Sequence, residues 1–178
     1  MKAPTLGFIG AGKVGHTLAR LWYAQGCTVR AIYSRTLDHA RDLADRVGAT
    51  VVDSPARVVQ SADLTLLTVP DDAIRSVVGD IEKSLPKQSA STEKAVAHTS
   101  GALGAEVLEP LTKLGLVTGS LHPAFPFAAV ETAVAELSGA TFGIETNSYI
   151  LRNWLVGLVS AVDGRVFVIP PGGKAIYH

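Results

Sequence analysis

Cysteine is all but missing from this chain of 178 residues: Cys27 stands alone, so no internal disulfide can form and the fold must rest on its core. Cys27 itself reads as an inert core residue at a strand start. No apolar run approaches the ~18 residues of a membrane span, and the opening MKAPTLGFIGAGK lacks the uninterrupted apolar stretch of a signal peptide. A soluble, cytoplasmic protein with no membrane partner is expected. An excess of either charge is missing too. Lys plus Arg (16) balance Asp plus Glu (16), so no global field draws the protein to nucleic acid, and any phosphate it binds must be held locally. No metal-ligand spacing links His98, His122 and the cysteine, so no metal site is expected. Internal repeats and low-complexity segments are absent. At this length one well-buried domain fits, since folding removes roughly 70% of the unfolded surface from water.

What the chain does have is alternation. Short apolar runs are separated by segments of helical period, which predicts an α/β fold with a doubly wound, mostly parallel sheet. TLGFIG leads into a helix carrying Val14, Leu18, Leu21, Trp22 and Gln25 on one stripe, ended by Gly26. CTVRAIY is the second strand and Leu37 to Val47 the second helix; ATVVD is the third strand. Ser54 and Pro55 signal a helix start, an oxygen cap followed by a residue that needs no amide hydrogen, and this short helix runs to about Ala62. LTLLTV reads as a central strand buried on both faces, and Ile74, Val77, Val78, Ile81 and Leu85 form the clearest amphipathic stripe. Pro86 to Lys94 is polar and reads as a surface loop. AVAHTS is a strand, Leu103 to Leu114 a helix kinked near Pro110, LVTGSL the sixth strand and HPAFPF a stiff loop. A short helix at Val130 to Leu137, the strand TFGI, a helix at Tyr149 to Val162 and the strand RVFVI follow; PPGGKAIYH reads as the first turn of another helix.

Gly10, Gly12 and Gly15 form G-x-G-x-x-G between the first strand and its helix, the setting in which this motif cradles a dinucleotide. The first glycine permits a tight turn, the second lets a pyrophosphate approach the backbone, and the third lets helix pack on strand. Unpaired amides of the helix start then face the phosphates. Ala11, Lys13 and Val14 complete the loop; the alternative is a glycine-rich turn that holds no ligand. Twenty positions beyond Gly15 stands Arg35, flanked by Ser34 and Thr36, where an acidic residue would grip the adenosine ribose. A carboxylate there would repel a 2′-phosphate, whereas hydroxyls and a planar cation suit one. NADP(H) is therefore expected over NAD(H). The alternative is an Arg35 that merely points to solvent.

Further candidates sit at the ends of later strands. VPDDAI (Val69, Pro70, Asp71 and Ala73 among them) follows the fourth strand, where open α/β sheets bind ligands; Asp71 or Asp72 would also serve as a helix cap. Ser100 in HTSG ends the fifth strand near the expected nicotinamide, either as a contact or as a cap. His122 follows the sixth strand, as a packed turn residue or as a proton donor or substrate contact beside the hydride.

GFIGAGKVG, YSR, VPDDAI, HTSGALG, GSLHPAFPF and GGKAIYH, in that order, resemble the Rossmann-like, NADP-dependent oxidoreductase family with a C-terminal domain of unknown function. That family is akin to pyrroline-5-carboxylate reductase and to the 6-phosphogluconate and 3-hydroxyisobutyrate dehydrogenases. The resemblance covers essentially the whole chain. It implies an NADP-binding domain over residues 1–170, with 171–178 beginning a helical domain, truncated here, that builds a homodimer and closes the substrate cleft. It also implies that Lys174 matches a catalytic lysine and that His178 stands where relatives have asparagine. Spacing four puts both on one helical face; a solvated first-turn role for Lys174 is the alternative. The expected function is hydride transfer between NADP(H) and a small carbonyl or imine. The rivals are a non-catalytic NADP(H) sensor and a methyltransferase, which would want an acidic residue near Arg35.

Overall fold

Buried strands with apolar side chains on both faces need helices above and below them, and short connections place those helices by turns on either side. The computed structural model describes residues 3–86, 94–170 and 173. In chain order the elements are β1 (Leu6–Ile9), α1 (Lys13–Ala24), β2 (Val29–Tyr33), α2 (Leu37–Val47), β3 (Thr50–Val51), α3 (Pro55–Ser61), β4 (Leu64–Leu67), α4 (Asp71–Ser84) and β5 (Ala95–His98). A 3-10 turn (Ala105–Leu108) then leads to α5 (Glu109–Thr112), β6 (Val117–Ala124), α6 (Val130–Glu136), β7 (Thr141–Glu145), α7 (Tyr149–Ser160) and β8 (Arg165–Val168). The sheet order is β3-β2-β1-β4-β5-β6-β7-β8. Strands β1 to β6 are parallel. The β7 strand runs against β6, and β8 follows β7 in parallel. The fold is thus the doubly wound, mostly parallel sheet that the alternation predicts.

Two cores result. One face packs Leu6, Phe8, Leu64 and Leu66 against Leu18 and Trp22 of α1, Leu43 of α2 and Leu155 of α7. Trp22 is fully buried, and its Nε1 donates to the Leu158 carbonyl at 2.8 Å, so the polar edge of the indole is satisfied. The other face packs Ile9, Leu67 and Val96 against Val58 of α3, Ile74, Val78 and Ile81 of α4, and Leu111 of α5. Lys94 closes α3 from outside, its Nζ donating to the Val59, Gln60 and Ala62 carbonyls at 3.0, 2.9 and 2.7 Å. This is how a helix end without a glycine satisfies its orphan acceptors. No helix among the described residues is long and apolar enough to cross a membrane.

Several local expectations need correction. His122, Pro123 and Ala124 do not form a stiff loop; they extend β6 and pair with Gly143, Phe142 and Thr141 of β7. The expected helix over Leu103 to Leu114 is a 3-10 turn followed by the short α5, with Pro110 in its first turn, where a missing amide hydrogen costs nothing. Ser54 precedes α3, yet its hydroxyl makes no capping bond and donates to Asp53 Oδ1 at 3.1 Å. Neither aspartate caps α4: Pro70 holds the cap position, and Asp71 and Asp72 lie in the first turn, where negative charge suits the helix dipole. Most of the polar stretch Pro86 to Lys94, at residues 87–93, lies outside the described residues, as does nearly all of the segment after Pro170.

Candidate functional site

The chain winds outward from β1 to β3, then returns to place β4 beside β1, so a crevice opens between the carboxyl ends of β1 and β4. The glycine loop fills one lip. Gly10 has φ +107°, and a Cβ there would stand 2.7 Å from the Thr68 carbonyl oxygen, so only glycine fits. A Cβ on Gly15 would collide with the Gly10 carbonyl and lie 2.7 Å from Thr68 Oγ1. Thr68 Oγ1 in turn donates to the Gly10 carbonyl at 2.6 Å, tying β4 to the loop. Gly12 is different. It caps α1 with ordinary extended backbone and no side-chain bond, and nothing stands within 4 Å of where its Cβ would be. The space before the unpaired amides of α1 is open to a ligand.

From this loop a cleft of ≈ 450 Å³ runs towards β2, with Gly10, Ala11 and Gly12 as floor, Ser34, Arg35 and Thr36 on one side and Val69, Pro70 and Ala73 on the other. A second stretch of ≈ 410 Å³ runs towards β5, between Lys13, Val14 and Val69 to Asp71 on one side and Thr99, Ser100 and Gly101 on the other. The two share Gly12, Thr68, Val69 and Pro70. Nearly every residue singled out for cofactor contact in the sequence therefore meets in one continuous crevice, with Gly15 packed beneath it. Arg35 is exposed and has no hydrogen-bond or ion-pair partner among the described residues. Sequence reasoning missed His39, three positions after Thr36 in the first turn of α2, and Phe127, each of which lines part of the crevice. The i, i+3 spacing from Thr36 is the signal that points to His39.

Ser100 and His122 are placed less directly. Ser100 is buried, and its Oγ accepts from the Ala102 and Leu103 amides at 3.2 and 3.0 Å, so the hydroxyl folds its own loop while the residue lines the crevice. The His122 ring stands behind Gly101, with Nε2 only 2.9 Å from where a Gly101 Cβ would be. Its Nδ1 lies 3.2 Å from the Thr99 carbonyl, an acceptor, so that nitrogen must carry the hydrogen. Lys174 and His178 lie outside the described residues.

Beneath Lys13, on the outer side of the glycine loop, His16 is nearly buried, with Nδ1 3.8 Å from Asp42 Oδ2. Burial lowers its pKa from the ordinary 6.5, against the opposing pull of Asp42. The native state therefore takes up a proton at lower pH than the unfolded chain does, and the fold is favoured above the unfolded pKa. Stability is expected to fall as pH drops from 6.5 towards the lowered native value. Urea midpoints measured at several pH values across this range should show the decline. The slope should flatten in His16→Gln; an unchanged slope in that variant would assign the decline to other groups.

A sequence model of the Rossmann-like domain matches residues 2–123. No curated protein matches the chain. Among solved structures, a candidate NADP oxidoreductase from Bacteroides fragilis is 24% identical with a TM-score of 0.77, the match covering 98% of this chain and 63% of the other. The 3-hydroxyisobutyrate dehydrogenase of Mycobacterium tuberculosis is 19% identical with a TM-score of 0.76, covering 99% and 58%. A pyrroline-5-carboxylate reductase from Coxiella burnetii is 16% identical with a TM-score of 0.75, covering 94% and 59%. At these identities the likeness is one of fold, and the match spans less than two thirds of each of those chains.

Proposed function

This chain belongs to the Rossmann-like domain family, and from that premise we propose that it binds NADP(H) in preference to NAD(H) and serves an oxidoreductase acting on a small carbonyl or imine. The observation that carries the reading is the unpartnered Arg35 in the same cleft as the open space at Gly12. The folds it resembles belong to proteins described as an NADP oxidoreductase, a dehydrogenase and a reductase, which supports the reaction class. The bound nicotinamide would supply or accept the hydride, and the protein's part is to place it.

Each residue then has a physical task. The amides after Gly12 hold the pyrophosphate, and Thr68 fixes the loop that presents them. Ser34, Arg35 and Thr36 receive the 2′-phosphate. Val69, Pro70 and Ala73 line the adenosine side of the cleft, while Lys13, Val14, Asp71 and Ser100 flank the nicotinamide side. Since Nδ1 of His122 is committed to the Thr99 carbonyl, proton donation from this ring requires the doubly protonated form, acting through Nε2 from behind Gly101. Lys174 and His178, which lie outside the described residues, complete the proposed catalytic set. A helical second domain after residue 170 is part of the same proposal; it would carry both residues and form a homodimer contact, and the protein would act in the cytoplasm. Parallel calorimetric titration with NADPH, NADH and S-adenosylmethionine tests the cofactor assignment. NADPH is expected to bind most tightly; equal affinity for NADPH and NADH, or heat only from S-adenosylmethionine, would overturn it.

A further inference from the structure

We infer that His98 and Glu145 are positioning residues that grip one peptide unit from both ends and so set the far wall of the cleft, an inference that rests on the cofactor reading proposed above. The register of the sheet brings them together. His98 of β5 is the partner of Ser120 of β6, and Ser120 is the partner of Glu145 of β7. Register partners on neighbouring strands share a face. All three are buried, at 0%, 0% and 3% exposure, on the face that also carries Val96 and Leu67. Polar side chains cost free energy in such a place unless they bond to something.

Two of the bonds converge. His98 Nε2 lies 3.1 Å from the Gly104 carbonyl oxygen, and Glu145 Oε2 accepts from the Ala105 amide at 3.0 Å. That carbonyl and that amide belong to the same Gly104–Ala105 peptide. Because a carbonyl only accepts, the His98 ring must carry hydrogen on Nε2. Gly104 caps the 3-10 turn with no side-chain bond of its own, so the acceptor for the first amide of that turn comes from a strand 40 residues away in sequence.

The same segment is held at its other end. His122 donates from Nδ1 to the Thr99 carbonyl and packs on Gly101, and Ser100 Oγ gathers the amides of Ala102 and Leu103. Thr99 to Gly104 is thus an irregular stretch, closed by the Ala105 amide and fixed by side chains from β5, β6 and β7. Its first three residues form the wall of the crevice opposite Lys13. A loop without such anchors opens at almost no free-energy cost.

The test pairs amide hydrogen exchange with two ligands: NADPH, which spans the whole crevice, and 2′,5′-ADP, which reaches only the Arg35 end. In His98→Leu and Glu145→Leu, exchange at Ala105 is expected to accelerate roughly tenfold or more and NADPH to bind roughly tenfold more weakly, with 2′,5′-ADP changed by less than about twofold. His98→Gln keeps a donor and Glu145→Gln an acceptor, so both should restore the wild-type values. Since the two grips act on one peptide, the double Leu variant should lose no more NADPH affinity than the worse single variant. Unchanged exchange at Ala105, or equal losses for both ligands, would overturn the inference. Should the Leu variants fail to fold, the wild-type chain decides: its Ala105 amide must exchange at least about a hundredfold more slowly than an exposed amide. If the wild-type protein binds neither nucleotide, the cofactor reading falls while the exchange data still judge the clamp.

Discussion

Arg35→Ala is expected to weaken NADPH binding roughly tenfold to hundredfold and to move NADH binding by less than about twofold. The asymmetry follows from what the guanidinium is doing in the free protein. It is exposed and makes no ion pair among the described residues, so removing it breaks nothing in the fold. A charge-assisted bond to a phosphate oxygen is worth about 1.5 to 3 kcal/mol, and only the phosphorylated cofactor has that oxygen to offer. Arg35→Lys should recover part of the loss, because an ammonium supplies charge without the planar fork. Parallel titrations of the three proteins with both nucleotides read this directly. Equal losses for NADPH and NADH would show that the arginine supports the loop and recognises nothing.

The second large effect separates two glycines of the same motif. Gly12→Val should leave the urea midpoint almost where it was, since the backbone there is ordinary extended chain and no atom stands within 4 Å of the new Cβ. Yet it should abolish NADPH binding, by more than about a hundredfold, because the side chain occupies the space in which a pyrophosphate must meet the amides of α1. Gly15→Ala should do the opposite first. Its methyl group would collide with the Gly10 carbonyl and crowd Thr68 Oγ1, a cost of about 1 to 3 kcal/mol in stability, with binding lost as a consequence. Denaturation and binding measured on the same samples distinguish the two. A Gly12→Val protein that binds NADPH normally would mean that the crevice is not the nucleotide site.

Much of this arrangement was legible from the sequence because it is written locally. A short apolar run marks β1 and the period of 3.6 residues marks α1, α2 and α4 without help from distant contacts, and the glycine spacing fixes where β1 hands over to α1. Arg35 could be placed at the end of β2 by counting alone. Whether it had a partner could not, since that depends on what the fold brings near it. Pro123 misled for a related reason. Two prolines in HPAFPF suggest a loop, but beyond Ser120 the β6 strand pairs only with β7, so the proline sits on an edge that tolerates its missing amide hydrogen. The row His98, Ser120 and Glu145 has no sequence signature at all: three isolated polar residues are aligned only when three strands settle into one register.

The reversal at β7 has a practical corollary. A chain that turns back at this point makes its next connection, Thr146 to Ser148, on the side of the sheet away from the glycine loop, and Asn147 there is exposed while Thr146 and Ser148 are occupied with Thr118 and α7. A fluorophore or an epitope spliced in at Asn147 would report on the molecule without shadowing its mouth, a liberty that no graft beside Ala11 could enjoy.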